Sequence, residues 1–215
     1  MRSTAFALML VAVAGLAAAE PSQTIQWGCE DASVGKLSEG WSSAKTGEGP
    51  GSVWKIIEDK TAPSGKHVLA QTSAEGPRPL FNLCVLDEGT YADVEITVSF
   101  KAVAGKIDRG GGPVWRYQDA NNYYICRHNP LEDNFRIYKV IDGTRTQLAS
   151  PDVDAAAGKL YTIKVTMRGE QIVCSINGEE LTARDDTIKK AGKVGLWTKA
   201  DAVTNFDDFH VRVAE

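Results

Sequence analysis

The chain has 215 residues, 43% of them hydrophobic and 24% charged, with a formal net charge of -4. That composition belongs to soluble globular proteins and excludes collagen-like, disordered and multi-span membrane chains. With 28 acidic residues against 24 Lys and Arg and no basic run, it carries no electrostatic footprint for nucleic acid.

The N-terminus opens with Arg2, an apolar stretch from Ala5 to Ala18, and the small-residue pattern Ala17-Ala18-Ala19 before Glu20-Pro21. A charged start, a short apolar run and small residues at the cut are the marks of a secretory signal, here residues 1–19. The run is too short to span a bilayer core of about 30 Å, and no later run approaches that length. No cysteine follows the cut, so no lipid anchor is indicated there. The expected product is a single domain of residues 20–215, secreted or periplasmic in a bacterium, with no membrane span after cleavage.

Four cysteines, Cys29, Cys84, Cys126 and Cys174, would meet an oxidising compartment, where one or two bridges can form. Spacing does not choose a pairing. Cys174 lies between Ile172 and Ile176 on the apolar side of a strand pattern, which equally suits a buried thiol. No two cysteines stand close together, and His67, His128 and His210 lack ligand spacing, so zinc is disfavoured.

Past residue 50 the apolar period is two. Weaker strand candidates run over residues 54–57, 68–72 and 81–86, and the clearest is Val94, Ile96, Val98 and Phe100 with Asp93, Glu95, Thr97 and Ser99 between them. Further candidates cover 114–117, 123–128 and 135–140. Ile163, Val165 and Met167 then alternate with polar residues, 171–177 and 193–198 follow, and Phe209, Val211 and Val213 close the series. Asp142-Gly143, Arg168-Gly169 and Asn177-Gly178 are turn dipeptides set between these strands. A turn or two of helix is expected near residues 185–191. Eleven or so short antiparallel strands must pack as two sheets, since one open sheet would leave an apolar face in water. The predicted fold is all-β, a single jelly-roll β-sandwich of two antiparallel sheets.

Three stretches carry a family resemblance. They are Gly111-Gly112-Pro113-Val114-Trp115-Arg116-Tyr117-Gln118-Asp119 with Asn122-Tyr123-Tyr124-Ile125-Cys126-Arg127, then Asn134-Phe135-Arg136-Ile137-Tyr138-Lys139-Val140, then Gly192-Lys193-Val194-Gly195-Leu196-Trp197-Thr198 with Phe206-Asp207-Asp208. Together they resemble the concanavalin A-like lectin/glucanase superfamily, on the branch of laminin-G-like and 3-keto-disaccharide hydrolase domains. The resemblance implies a curved sandwich whose concave sheet receives a saccharide or another extended ligand.

Alternation then suggests which residues face that groove. With Ile125, Phe135 and Ile137 set in the core, the ligand-binding set is Arg116, Tyr124, His128, Arg136, Tyr138 and Trp197. Aromatic rings stack on a pyranose while Arg and Tyr donate to hydroxyls. A retaining glucanase needs paired acids on one strand face. The nearest approach is Asp93-Val94-Glu95, with Thr97 where another acid would continue the pattern. The hydrolase branch leaves a different chemistry open, with His128 as candidate catalytic base beside a keto-sugar. Loop acids Asp119, Asp133 and Asp207 are weak candidates for Ca²⁺ or another divalent metal, which lectin-like relatives often hold. The first reading is a secreted carbohydrate binder. The alternatives are a hydrolase of 3-keto-glycosides and a module that binds an envelope component or another protein.

Overall fold

A computed structural model describes residues 24–152 and 156–214. The expected export signal, residues 1–19, lies outside them. Among the described residues there is no helix, hence none long and apolar enough to cross a membrane. The strands are β1 (Thr24–Trp27), β2 (Trp41–Thr46), β3 (Trp54–Glu58), β4 (His67–Gln71), β5 (Phe81–Leu86), β6 (Val94–Ala104), β7 (Gly112–Asp119) and β8 (Asn122–Asn129). They continue as β9 (Asn134–Ile141), β10 (Thr144–Ala149), β11 (Leu160–Arg168), β12 (Gln171–Ile176), β13 (Glu179–Arg184), β14 (Lys193–Lys199) and β15 (Val203–Val213).

Sheet I has the order β13-β12-β11-β6-β15-β4-β3, with β1 also paired to β15, and sheet II has the order β10-β9-β8-β7-β14-β5-β2. Every pairing is antiparallel. This is the predicted jelly-roll sandwich. The turn dipeptides act where chain chemistry demands it. Asp142-Gly143 and Asn177-Gly178 close two-residue hairpins with positive φ at both positions, 48° and 76°, then 50° and 91°. Asn, Asp and Gly tolerate that left-handed geometry, and its twist matches the flanking strands. The third loop is Gly169-Glu170, with Gly169 at φ 56°.

The main core lies between the sheets. Val94, Ile96, Val98 and Phe100 of β6 and Ile163, Val165 and Met167 of β11 face Trp115, Cys126, Phe135, Ile137 and Leu196 of sheet II. All are essentially closed to solvent, and each large apolar side chain so buried contributes about 1.5–3 kcal/mol. Period two therefore marked the correct inward faces on β6 and β11. It missed β1, β2, β10 and β13, whose residues are mostly polar or partly exposed. The helix expected near 185–191 is instead irregular loop. There Asp185 accepts from the Thr187 amide at 2.9 Å and from Tyr124, bonds that hold an extended path in place of a helical turn.

Sheet II also buries its outer face. Phe81, Leu83, Val85, Val114, Tyr123, Ile125, Tyr138, Val140 and Trp197 form a second apolar cluster there. The sheet achieves this by curling until its ends meet. Thr46, on edge strand β2, donates to the Ala120 carbonyl in the β7–β8 turn and lies 2.8 Å from the Tyr123 hydroxyl. From the opposite edge, the Gly143 amide donates to Asn121 of that same turn at 3.0 Å. Thr46→Val keeps the shape and removes the hydroxyl, leaving the Ala120 carbonyl and Tyr123 hydroxyl short of a buried partner. The expected loss is about 1–3 kcal/mol of unfolding free energy in urea titrations, with Thr46→Ser close to wild type.

Candidate functional site

The curled face of sheet II has an aromatic floor and a charged rim. The floor is made of Phe81 on β5, Trp197 on β14 and Tyr138 on β9, brought onto one face by alternation. Leu83 pairs with Trp197 across β5 and β14, and Ile125 pairs with Tyr138 across β8 and β9. Phe81 and Trp197 pack with ring centroids 5.3 Å apart. Arg145 reaches over this floor from edge strand β10. Its guanidinium carbon stands 4.3 Å from the Tyr138 ring, 5.1 Å from Phe81 and 5.6 Å from Trp197. A guanidinium over aromatic faces is held by the ring quadrupoles, by up to about 2 kcal/mol when desolvated.

One end of this face is polar. Arg127 on β8 and Arg136 on β9 are paired across their strands. Arg127 donates to Glu132 in the β8–β9 turn at 2.9 Å, and Arg136 lies 3.4 Å from the same carboxylate oxygen. Burial alone would raise the Glu132 carboxyl, but hydrogen bonds from Arg127 and Asn134 outweigh it and bring it down to about 2. Asp108 comes from the loop between β6 and β7. That loop is pinned by Asp201, whose carboxylate accepts the amides of Lys106, Ile107 and Asp108 at 2.7–3.1 Å. Asp108 is thereby held 3.2 Å from Lys199 at the end of β14 and 3.2 Å from Asn129.

Of the residues expected to line the groove, Arg136, Tyr138 and Trp197 stand on this face, Arg136 half-buried and Tyr138 and Trp197 closed to solvent beneath Arg145. Tyr124 and His128 do not. They belong to the same strand as Ile125 but point the other way, because β8 is set one residue out of the expected register. Ile125 accordingly faces outward, not into the main core. The Tyr124 ring stacks on Trp115 at 5.8 Å in the main core, and its hydroxyl donates to Asp185 at 2.6 Å. His128 is closed to solvent between Phe100 and Tyr161, at 6.1 and 5.8 Å, so it has no access to a ligand as a base.

Arg116 is also displaced, by a bulge. Val114 pairs with Gly195 and Tyr117 with Lys193, so β7 carries one extra residue there, and Arg116 takes φ 45°. Its guanidinium turns to the sandwich end and donates to the carbonyls of Ala92, Ile188 and Gly169 at 2.7–2.8 Å, with Asp93 at 3.4 Å. It is a structural clamp. Asp93 and Glu95 are used likewise, Asp93 accepting from the Gly169 amide and Glu95 pairing with Arg168 and Arg212 on the outer face of sheet I.

The calcium candidates are dispersed. Asp119 accepts from Asn121 and Asn122 within its own turn, Asp133 takes φ 46° in the next turn, and Asp207 lies on sheet I holding Ser64. Those turn and loop roles account for the three acids, and they do not converge on one ion. Among the described residues no group of three or more His, Cys, Asp and Glu could hold a metal. All four cysteines are buried free thiols. The residues that sequence alone missed are Arg127, Arg145, Asp108, Lys199 and Phe81. Arg127 was hidden by the register error, and Arg145 by a strand, Thr144–Ala149, with no apolar alternation.

No family model matches the chain, and no curated protein sequence matches it. Solved structures do. The carbohydrate binding module CBM66 from Bacillus subtilis aligns with TM-score 0.63 at 17% identity, covering 80% of this chain and 95% of that one. A Bacillus subtilis protein of unknown function with galectin-like fold aligns with TM-score 0.57 at 14% identity, over 81% and 90%. These structures share the two-sheet antiparallel β-sandwich of this chain. The GH43 protein BlXynB from Bacillus licheniformis aligns with TM-score 0.51 at 15% identity over 75% of this chain, which spans 37% of that protein's length. Identities this low establish the shared fold and not a shared ligand.

The Asp185 cluster gives a test of the corrected register. Burial would raise its carboxyl, but hydrogen bonds from Lys139 and Tyr124 prevail and hold it at about 2, against an ordinary 3.8. A depressed carboxyl contributes stability above its unfolded pKa and loses it as pH falls toward the folded one. Urea midpoints should therefore drop as pH goes from about 4 to about 2, and Asp185→Asn should flatten that drop while lowering stability at neutral pH.

Proposed function

We propose that the mature chain, residues 20–215, is an exported carbohydrate-binding protein that takes a saccharide on the curled face of sheet II. The observation that carries this reading is the three-ring floor of Phe81, Trp197 and Tyr138 lying under the Arg145 guanidinium. A pyranose presents an apolar face to such rings and a fringe of hydroxyls to the donors around them. Arg136, Asn129 and Lys199 supply that fringe at the polar end. In the free protein Arg145 occupies the place above the rings, and a sugar ring takes that place when the side chain swings outward. Arg145 suits this role because it is half-buried on an edge strand, where a long side chain can move without disturbing the sheet.

The apolar start of residues 1–19 supports export, and the likeness to a carbohydrate binding module supports the ligand class. Hydrolysis of 3-keto-glycosides, the alternative, draws less support, since its candidate base His128 is closed to solvent beside Phe100 and Tyr161.

The test is isothermal titration of the purified protein with oligosaccharides, in parallel with mass spectrometry of each ligand, 3-keto disaccharides included. Binding with every ligand mass unchanged is expected. Tyr138→Ala should weaken that binding about tenfold or more, a loss of roughly 1.4 kcal/mol, while the folded signal persists. Appearance of cleaved product would overturn the binding-only reading in favour of a hydrolase. Indifference to every saccharide would point to a protein or envelope partner instead.

A further inference from the structure

The charge on the curled face does not balance. Four cations, Arg127, Arg136, Arg145 and Lys199, meet two carboxylates, Glu132 and Asp108. Glu132 is shared by Arg127 and Arg136, and Asp108 accepts from Asn129 and is ion-paired with Lys199 at 3.2 Å, its Oδ2 making no hydrogen bond among the described residues. Arg145 has no carboxylate partner among the described residues.

Arg127 is the decisive side chain. It is 1% exposed, yet among the described residues its Nε and Nη1 have no hydrogen-bond acceptor, and Nη1 of Arg145 has none either. Buried guanidinium donors without acceptors are costly, by about 1–3 kcal/mol each and more when charged. The two guanidinium carbons also address the same ring, at 5.9 Å and 4.3 Å from the Tyr138 centroid. Burial first, and the neighbouring Arg127, press the Arg145 pKa downward against the opposing pull of Tyr138, Asp108 and Glu132.

We propose that the saccharide is acidic, a uronic-acid oligomer, and that Arg127 and Arg145 receive its carboxylate. The inference rests on the reading that this face binds sugar. A carboxylate offers several acceptor positions in one plane, which suits planar guanidinium donors better than it suits Lys. Its arrival gives Arg145 an ionic partner in exchange for the aromatic rings, so the same motion that uncovers the floor neutralises the surplus charge.

The experiment is titration calorimetry with oligogalacturonates, with the same oligomers after chemical reduction of the carboxyl to the alcohol, and with sulfated oligosaccharides. Wild type and Arg145→Gln are compared, with thermal melting to show that the variant is folded. Oligogalacturonate should bind at least about tenfold tighter than its reduced counterpart, and Arg145→Gln should abolish most of that difference. Equal affinity for the acidic and reduced oligomers would overturn the acidic assignment and leave carbohydrate binding standing. A preference for sulfated sugars over uronates would overturn the carboxylate. Failure of all these oligomers, together with a neutral panel, would overturn the sugar-binding reading itself.

Discussion

Sheet II keeps a second apolar cluster on what should be its wet face only because its two ends are tied together. The tie is small: one threonine hydroxyl on β2, the Ala120 carbonyl and the Tyr123 ring, with the turn at Gly143 closing from the other side. An antiparallel sheet in a sandwich ordinarily buries one face and solvates the other. Here curvature removes solvent from both. The aromatic floor, the depth of Arg127 and the position of Arg145 above the rings all follow from that closure.

Burial changes what the charges are worth. On an open sheet, arginines beside a glutamate would be screened by water and contribute little. On the curled face Arg127 is withdrawn from water, so each of its donors must find an acceptor or destabilise the fold. Sheet I offers the contrast. Its outer-face network of Glu95 with Arg168 and Arg212 is formed by arginines that are half exposed, and it demands nothing further. The two faces differ in solvent: the cations around Glu95 are half exposed and screened by water, whereas Arg127 is closed to it.

The architecture was legible in the sequence because its signals are local. Alternation on β6 and β11 and the Asp-Gly and Asn-Gly turns each report on a few neighbouring residues, and each is borne out. The site was less legible because it depends on register and on distant strands. On β8 the run Tyr123 to His128 is bulky on both faces, so alternation alone could not say whether Tyr124 or Ile125 faced the main core. The Tyr124 face turns to the main core, where its ring stacks on Trp115 and its hydroxyl donates to Asp185. The bulge at Arg116 breaks the alternation on which any facing argument relies. Arg145 sits on a strand of Thr, Arg and Gln that reads as loop, and nothing in its neighbourhood signals that it folds across to Phe81, 64 residues away in sequence.

The four thiols make the molecule a chemical clock. Cys29, Cys84, Cys126 and Cys174 are all buried, and burial pushes Cys84 and Cys126 well above the usual thiol range and Cys29 to about 12. A protonated, occluded thiol is a poor nucleophile and exchanges neither with disulfides nor with alkylating reagents. Cys126 and Cys174 come from opposite sheets and meet in the space between them. Their modification therefore records the parting of the two sheets, and the rate at which Cys126 and Cys174 take up a thiol label measures how often the sandwich opens.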